Sequence, residues 1–161
     1  MDEKYVQKSH KGTRIDQLNP RKRGETASKR SLSKEKVCII TAVQRYGKAV
    51  AETFNMDKPS SDDINKFAHH IHENSYTWTD GLESYTKMLS NKNCSRKIIK
   101  SYKEYDSVNH LNNVNSFHNE IEKQYEIYRG VASKYINRYN ALMCVQREVQ
   151  GMDNQEMLIY V

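Results

Sequence analysis

The carboxylate of Asp80 is a candidate ligand for a divalent cation. Asp80 closes a short segment, residues 75–81 with the sequence SYTWTDG, in which Tyr76 and Trp78 alternate with polar residues as in a strand. Asp80-Gly81 is a turn signal, so we predict that the strand ends there. An Asp at the carboxyl end of a strand, beside an open sheet edge, is well placed to be a metal ligand.

A second group of polar side chains lies on a helix predicted within residues 108–135. Its buried face is predicted from apolar residues at three- and four-residue steps, namely Val114, Phe117, Ile121, Tyr125 and Tyr128. A neighbouring polar face carries Asn115, His118, Asn119 and Glu122. Gly130 is predicted to end the helix in the left-handed conformation. The 35 positions between Asp80 and Asn115 leave room for a helix and another strand, so the polar face and Asp80 can meet.

The rest of the sequence predicts an α/β fold, with a mixed sheet flanked by helices. Strands are predicted at residues 2–9, 37–43, 48–55 and 96–103, the second covered on both faces because its apolar run is continuous. Helices are predicted at residues 59–71, at residues 84–89 and from Ser133 onward, the last burying Tyr135, Ile136, Tyr139, Leu142 and Met143. We expect one domain over residues 1–149 and a C-terminal tail over residues 150–161.

Six segments, in order between Asp2 and Tyr139, resemble a known protein family. They read DEKYV, KRxLSKEKVCIITAV, PSSDDI, TDGLESY, HLNNVNSFH and GVASKYINRY. Together they are similar to insertion-sequence transposases of the DDE superfamily. More narrowly, they resemble the branch whose third catalytic residue is often Asn, the insertion-sequence family numbered fifteen ninety-five. The resemblance implies an RNase H-like fold.

The resemblance also implies which residues carry the chemistry. Asp2, Asp80 and Asn115 match the catalytic residues that hold two Mg²⁺ or Mn²⁺ ions during phosphoryl transfer, and hard cations of this kind take oxygen ligands. His118, one helical turn from Asn115, is expected to orient a nucleophile or contact phosphate. Since Asn115 is neutral, the site has one negative charge fewer than a site with three carboxylates. Glu3 is predicted not to replace Asp2, because adjacent strand residues point to opposite faces.

Where the sequence starts suggests a shortened transposase. Members of the resembled family usually carry a zinc ribbon and a helical DNA-binding region before the catalytic domain, whereas this sequence starts almost on the first motif. We therefore expect an N-terminally truncated domain in which Asp2 lies at a strand end that can fray. The chain then either cuts and joins transposon ends, or is a catalytically inactive remnant that still binds DNA. An RNase H-like nuclease acting on another nucleic acid is a third hypothesis, which the transposase-like segment GVASKY disfavours.

The positive charge of the chain is concentrated in its first quarter. Between Lys4 and Lys36 there are eleven Lys and Arg residues against three acids, whereas the later residues carry fifteen of each sign. Such clustering is typical of phosphate contacts, although a solvated basic loop has the same composition. The resemblance favours double-stranded DNA as the partner, and a homo-oligomer on that DNA by analogy. The residues predicted to contact DNA are Lys11, Arg14, Arg21, Lys22, Arg23, Lys29 and Arg30.

Composition excludes several other classes of protein. No apolar run approaches the roughly 20 residues of a membrane span, and no signal-peptide pattern is present, so a bacterial cytoplasmic protein, nucleoid-associated when bound, is expected. Three widely separated cysteines, Cys38, Cys94 and Cys144, predict neither a disulfide framework nor a zinc site. His69, His70 and His72 are predicted to be surface residues.

Overall fold

The computed structural model describes residues 1–12, 36–55 and 59–150. The strands are β1 (Asp2–Gln7), β2 (Lys36–Val43), β3 (Ala49–Glu52), β4 (Tyr76–Thr79) and β5 (Ser95–Ile98). The helices are α1 (Ser61–Phe67), α2 (Ser84–Asn91), α3 (Asn112–Ile127) and α4 (Ile136–Gln150). Short 3₁₀ turns cover Ala68–His70, Tyr102–Glu104 and Ser133–Tyr135. The architecture is mixed α/β and compatible with an RNase H-like fold, as predicted.

The strand β2 forms the centre of a three-stranded antiparallel sheet. The order is β1-β2-β3, with Asp2 opposite Thr41 and Glu52 opposite Ile40. Side chains alternate along β2, so Ile39 faces one side of the sheet and Ile40 the other, and both are buried. The predicted covering of this strand on both faces is therefore confirmed.

Helices cover the two faces of this sheet in separate pairs. On the face of Ile40, α1 and α2 contribute Ile64, Phe67, Tyr85 and Met88 to one apolar cluster. On the face of Ile39, α3 and α4 contribute Phe117, Ile121, Ile136 and Met143 to another. The central sheet is thus one layer between two helical layers. Side chains on one face of β1 therefore point toward α1 and α2, and those on the other face toward α3 and α4.

A second sheet continues next to β1. It consists of β4 and β5, which run parallel, with Trp78 opposite Lys97. The amino nitrogen of Met1 donates a hydrogen bond to the carbonyl oxygen of Trp78 at 2.7 Å, and this bond brings the start of β1 beside the end of β4. Asp80, the first residue after β4, consequently lies near Asp2.

Several predicted elements are shorter in the structure. The strands predicted at residues 48–55 and 96–103 are only four residues long in each case, as β3 and β5, and part of the second segment forms a 3₁₀ turn. The prediction that Tyr135 and Leu142 are buried was wrong, since they are 40% and 45% exposed. Asn140 is fully buried instead and accepts a hydrogen bond from the hydroxyl of Tyr125 at 2.6 Å.

The end of α3 differs in detail from the prediction. Gly130 does have a positive φ of 86°, but Arg129 before it is also left-handed, with a φ of 54°. The amide of Gly130 donates to the carbonyl of Tyr125 and the amide of Arg129 to that of Glu126, which is the Schellman pattern. The left-handed residue that directly follows the helical cap is therefore Arg129 rather than a glycine.

Candidate metal centre

Three carboxylates meet where β1 begins and β4 ends. Asp2 and Glu3 are the first residues of β1, and Asp80 follows β4. Each offers an oxygen, and the three oxygens lie within 4.8 Å of one another. The predicted pairing of Asp2 with Asp80 is present in this geometry, and Glu3 joins them.

Glu3 was predicted not to replace Asp2, because strand alternation points the two side chains to opposite faces, and in the structure Glu3 joins the cluster beside Asp2. Alternation itself holds, because Asp2 pairs with Thr41 on the face of α3, whereas Glu3 pairs with Ile40 on the opposite face and accepts a short hydrogen bond from the hydroxyl of Tyr85. Asp80 lies beyond the end of the neighbouring strand, where the two faces are not separated by backbone. The long Glu3 side chain therefore reaches the same centre from the other side of the sheet.

Arg96 of β5 holds the segment that carries Asp80. Its guanidinium donates to the hydroxyl of Thr79 at 2.7 Å and to the hydroxyl of Thr86 at 2.5 Å. It also donates to the carbonyl oxygens of Asp80 and Leu82 at 2.9 Å and 2.8 Å. A planar group with five fixed donors suits this task, because several bonds form with one side chain. No sequence pattern predicted this role for Arg96.

The polar chain of His118, Thr41 and Asp2 fixes the other half of the centre. The Thr41 hydroxyl donates to the carbonyl oxygen of Asp2 at 2.8 Å, so it must accept at the 2.6 Å contact with Nε2 of His118. The proton of the imidazole is then on Nε2, and Nδ1 lies 3.9 Å from a carboxylate oxygen of Asp2. His118 is buried at 7% exposure, so it packs against the strand rather than lying on an open polar face.

Burial and like charge set the protonation of these groups. Burial raises the pKa of Asp2 above its usual range, with the negative charge of Asp80 acting in the same direction. Burial and the neighbouring carboxylates raise the pKa of Glu3 to about 7. Burial and the positive charge of Lys4 lower the pKa of His118 to about 4, so this imidazole is neutral at neutral pH. Acidic groups that are crowded and partly dehydrated in this way are typical of functional sites.

Asn115 lies on α3 one turn before His118, and its side chain is exposed. One turn after His118, Glu122 forms an ion pair with Lys4 of β1 at 2.5 Å. Residues three and four apart share one side of a helix, so Asn115 lies on the same side of α3 as His118 and Glu122. His118 is therefore the predicted α3 residue that lies beside Asp2, whereas Asn115 is open to solvent one turn earlier.

The donor set fits a hard divalent cation. Carboxylate oxygens are the ligands that Mg²⁺ and Mn²⁺ prefer, and one such ion would relieve the repulsion among Asp2, Glu3 and Asp80. When deprotonated, Glu3 adds a third carboxylate charge to those of Asp2 and Asp80. The residues present are therefore suited to holding such an ion.

Comparison with protein families identifies the family of the chain that carries this centre. The family model described as the ISXO2-like transposase domain matches residues 1–144, most of the chain. The chain belongs to the ISXO2-like transposase family. Comparisons with curated proteins and with solved structures gave no match. The resemblance drawn from the six sequence segments is confirmed at this level, and DNA transposition is the process that the family indicates.

Of the seven residues predicted to contact DNA, Lys11 lies in the described part of this transposase domain. Arg14, Arg21, Lys22, Arg23, Lys29 and Arg30 lie outside the described residues. Lys11 is described, and its ammonium donates to the carbonyl oxygens of Tyr128 and Gly130 at 3.0 Å and 3.1 Å. These carbonyls end α3, where a cation is favourable. A contact between Lys11 and DNA stays a prediction.

The helices of the transposase domain give one further negative finding. Within residues 1–12, 36–55 and 59–150, none is long and apolar enough to cross a membrane.

Proposed function

We propose that this transposase domain cuts and joins DNA ends by phosphoryl transfer that depends on Mg²⁺ or Mn²⁺. The observation that carries the proposal is the convergence of Asp2, Glu3 and Asp80 within 4.8 Å, in a chain that matches the transposase family over residues 1–144. The family alone indicates DNA transposition. The carboxylate geometry supports the finer assignment of a metal-dependent reaction.

Each residue of the centre has a distinct role in this proposal. Asp2 and Asp80 are metal ligands from neighbouring strand ends, and Asn115 adds an amide oxygen from α3. Glu3 is a further carboxylate ligand, held by the hydroxyl of Tyr85. His118 acts through Thr41 on the backbone of Asp2 and is therefore a positioning residue.

When bound, two such ions would supply activation of water or a DNA 3′-hydroxyl and stabilisation of the leaving oxygen. The protein contributes orientation, since Arg96 and Thr41 fix the backbone on both sides of the carboxylates. Neutral His118 adds no positive charge beside Asp2 at neutral pH, so the centre keeps its negative potential for cations.

DNA is the proposed partner, bound as a duplex at the transposon ends and the target. The basic residues between Lys4 and Lys36 supply the charge that phosphates attract. Joining two ends requires that they be held together, so a homo-oligomer on DNA is part of the proposal.

Calorimetric titration of Mn²⁺ into the purified chain tests the proposal. We expect binding in the parent chain, and affinity at least about 10-fold weaker in Asp80→Ala, Glu3→Gln and Asn115→Ala. Asn119→Ala and Glu126→Gln are matched controls, because both residues are exposed on α3 and neither belongs to the centre. Loss of DNA cleavage in the same three variants would connect the site with catalysis.

Absence of Mn²⁺ binding in the parent chain would contradict the proposed enzyme. If such a chain still bound duplex DNA with strong salt dependence, the catalytically inactive DNA-binding remnant would be the correct function.

A further inference from the structure

A second cluster of metal-ligand side chains lies at the far edge of the central sheet. Glu52, the last residue of β3, meets His69 and His70 in the 3₁₀ turn after α1. Each residue offers one donor atom, and these atoms lie within 4.8 Å of one another. His69 and His70 were predicted to be surface residues, and no sequence pattern shows that the fold brings Glu52 to them from another element.

The two imidazoles are oriented by contacts with their own helix. The Nδ1 atom of His69 lies 2.6 Å from the carbonyl oxygen of Lys66, which leaves Nε2 as its other donor position. The ring of His70 packs against the buried ring of Phe67, with centroids 5.2 Å apart, and its Nε2 lies 3.0 Å from a Glu52 oxygen. Histidines that bind metals commonly donate their other ring nitrogen to a carbonyl or carboxylate oxygen, as Nδ1 of His69 does to Lys66.

We propose that Glu52, His69 and His70 bind a divalent transition-metal ion such as Zn²⁺, Ni²⁺ or Co²⁺, with water completing the coordination. Imidazole ligands select these ions, whereas the oxygens of the acidic centre favour Mg²⁺ and Mn²⁺. Two ligands bound at about 2.1 Å from an ion are at most about 4.2 Å apart, so donor separations of up to 4.8 Å require only a small side-chain movement. The exposed side chain of His69 has the freedom to make that movement.

The proposed site would join the edge strand to the first helix. The carboxylate of the site comes from β3, and its imidazoles come from the turn that follows α1. A bound ion would therefore cross-link these two elements. Ile40 pairs with Glu3 on one side and with Glu52 on the other. Two strand spacings, about 10 Å, therefore separate the backbones of the two clusters, and the sites are distinct.

Zn²⁺ titration of the full chain tests the proposal, with Asp80→Asn as the background that weakens the acidic centre. We expect Zn²⁺ binding to persist in that background and to weaken by about 100-fold or more on adding Glu52→Gln or His70→Gln. At a 100-fold excess of Zn²⁺ over Kd, the thermal midpoint should rise by about 5 to 10 °C, and the two added substitutions should remove that rise. Excess Mg²⁺ should not displace the ion.

Two controls separate this site from other ligands. His72 is exposed in the same segment and outside the cluster, so His72→Gln should bind Zn²⁺ like its parent. The Cys94 thiol lies 3.3 Å from the carbonyl oxygen of His72, and Cys94→Ser tests whether a thiolate takes part. A Co²⁺ spectrum without a thiolate charge-transfer band would support the proposal. Unchanged Zn²⁺ affinity in Glu52→Gln and His70→Gln, or its loss in Cys94→Ser, would overturn it.

Discussion

The Nε2 atom of His118 lies 2.6 Å from the hydroxyl oxygen of Thr41 in the interior of the protein. Because that hydroxyl donates onward to the carbonyl oxygen of Asp2, the helix α3 controls the position of the first carboxylate through β2. The arrangement explains why a buried histidine belongs to the centre without touching a reacting group.

Thr41→Val should therefore weaken Mn²⁺ binding at the candidate metal centre, although Thr41 is not a proposed ligand. The substitution leaves the buried Nε2–H of His118 without an acceptor, which costs about 1 to 3 kcal/mol of unfolding free energy. We expect Mn²⁺ affinity to fall by about 10- to 100-fold, as for other residues that orient ligands. Thr41→Ser keeps the hydroxyl and should restore most of the affinity. Titration and urea unfolding of the three proteins decide the matter, and an equal affinity in Thr41→Val would exclude the positioning role.

Arg96→Lys should disturb Asp80 although it keeps the positive charge. A lysine ammonium cannot bond Thr79, Thr86 and two backbone carbonyls together, so the segment after β4 loses its fixed geometry. Mn²⁺ affinity is expected to fall by about 10-fold or more. Thr86→Ala removes only one of these bonds and should change affinity far less. Comparable losses in the two variants would mean that the guanidinium network is not what holds Asp80.

In the metal-free protein, the contribution of Glu3 to stability should fall as the pH rises through the range in which Glu3 titrates. The pKa of Glu3 is raised from 4.5 to about 7 in the folded state, mainly by burial. Between these values the folded state binds the extra proton, so the contribution of Glu3 to the unfolding free energy falls as pH increases from 4.5 to 7. After discounting for solvent screening, we expect a change of about 1 to 3 kcal/mol.

Glu3→Gln isolates that contribution. The pKa of His118 is lowered to about 4, so its titration changes stability in the opposite direction, but it does so in both proteins. The parent should lose stability relative to Glu3→Gln between pH 4.5 and 7, and the difference should be constant at higher pH. Urea unfolding with a chelator present provides the measurement. A pH-independent difference would show that Glu3 titrates normally in the folded chain.

Arg129→Gly should stabilise the end of α3. Arg129 is left-handed, with a φ of 54°, and glycine adopts this conformation without the clash of a side chain. We expect a gain of about 0.5 to 1 kcal/mol in unfolding free energy, measured by urea denaturation. Gly130→Ala, at a φ of 86°, is the opposite case and should destabilise the protein. A destabilised Arg129→Gly would mean that this arginine makes a stabilising contact of its own.

The apolar patterns of the sequence predicted most of the architecture. A continuous apolar run predicted that β2 is covered on both faces, and a helical period predicted that Val114, Phe117 and Ile121 are buried. Asp80 could be placed at a strand end because turn residues mark that end. Short strands were less predictable, since β3 and β5 depend on pairing with neighbours rather than on their own composition.

Only part of the candidate centre could be predicted from the sequence. Strand alternation correctly separates Asp2 from Glu3, but it does not show that the space beyond β4 is open to both faces. The role of Arg96 depends on the path of the backbone after β4, which no local pattern encodes. Likewise, the helical pattern of α3 cannot show that Thr41 lies beside His118. The contact with Thr41 makes the burial of His118 favourable.

The position of β1 between β2 and β4 has a consequence for the order of folding. Glu3 and Tyr85 are 82 residues apart in sequence, and Met1 and Trp78 are 77 apart. Contacts with such separations form slowly, because a long loop must close before any bond is gained. The strands β1 to β3 can pair before β4 arrives, whereas the three carboxylates meet only once β4 and α2 are in place. The acidic centre is therefore expected to be among the last parts of the domain to form, so that a partly folded chain has its central sheet but no assembled cluster of carboxylates.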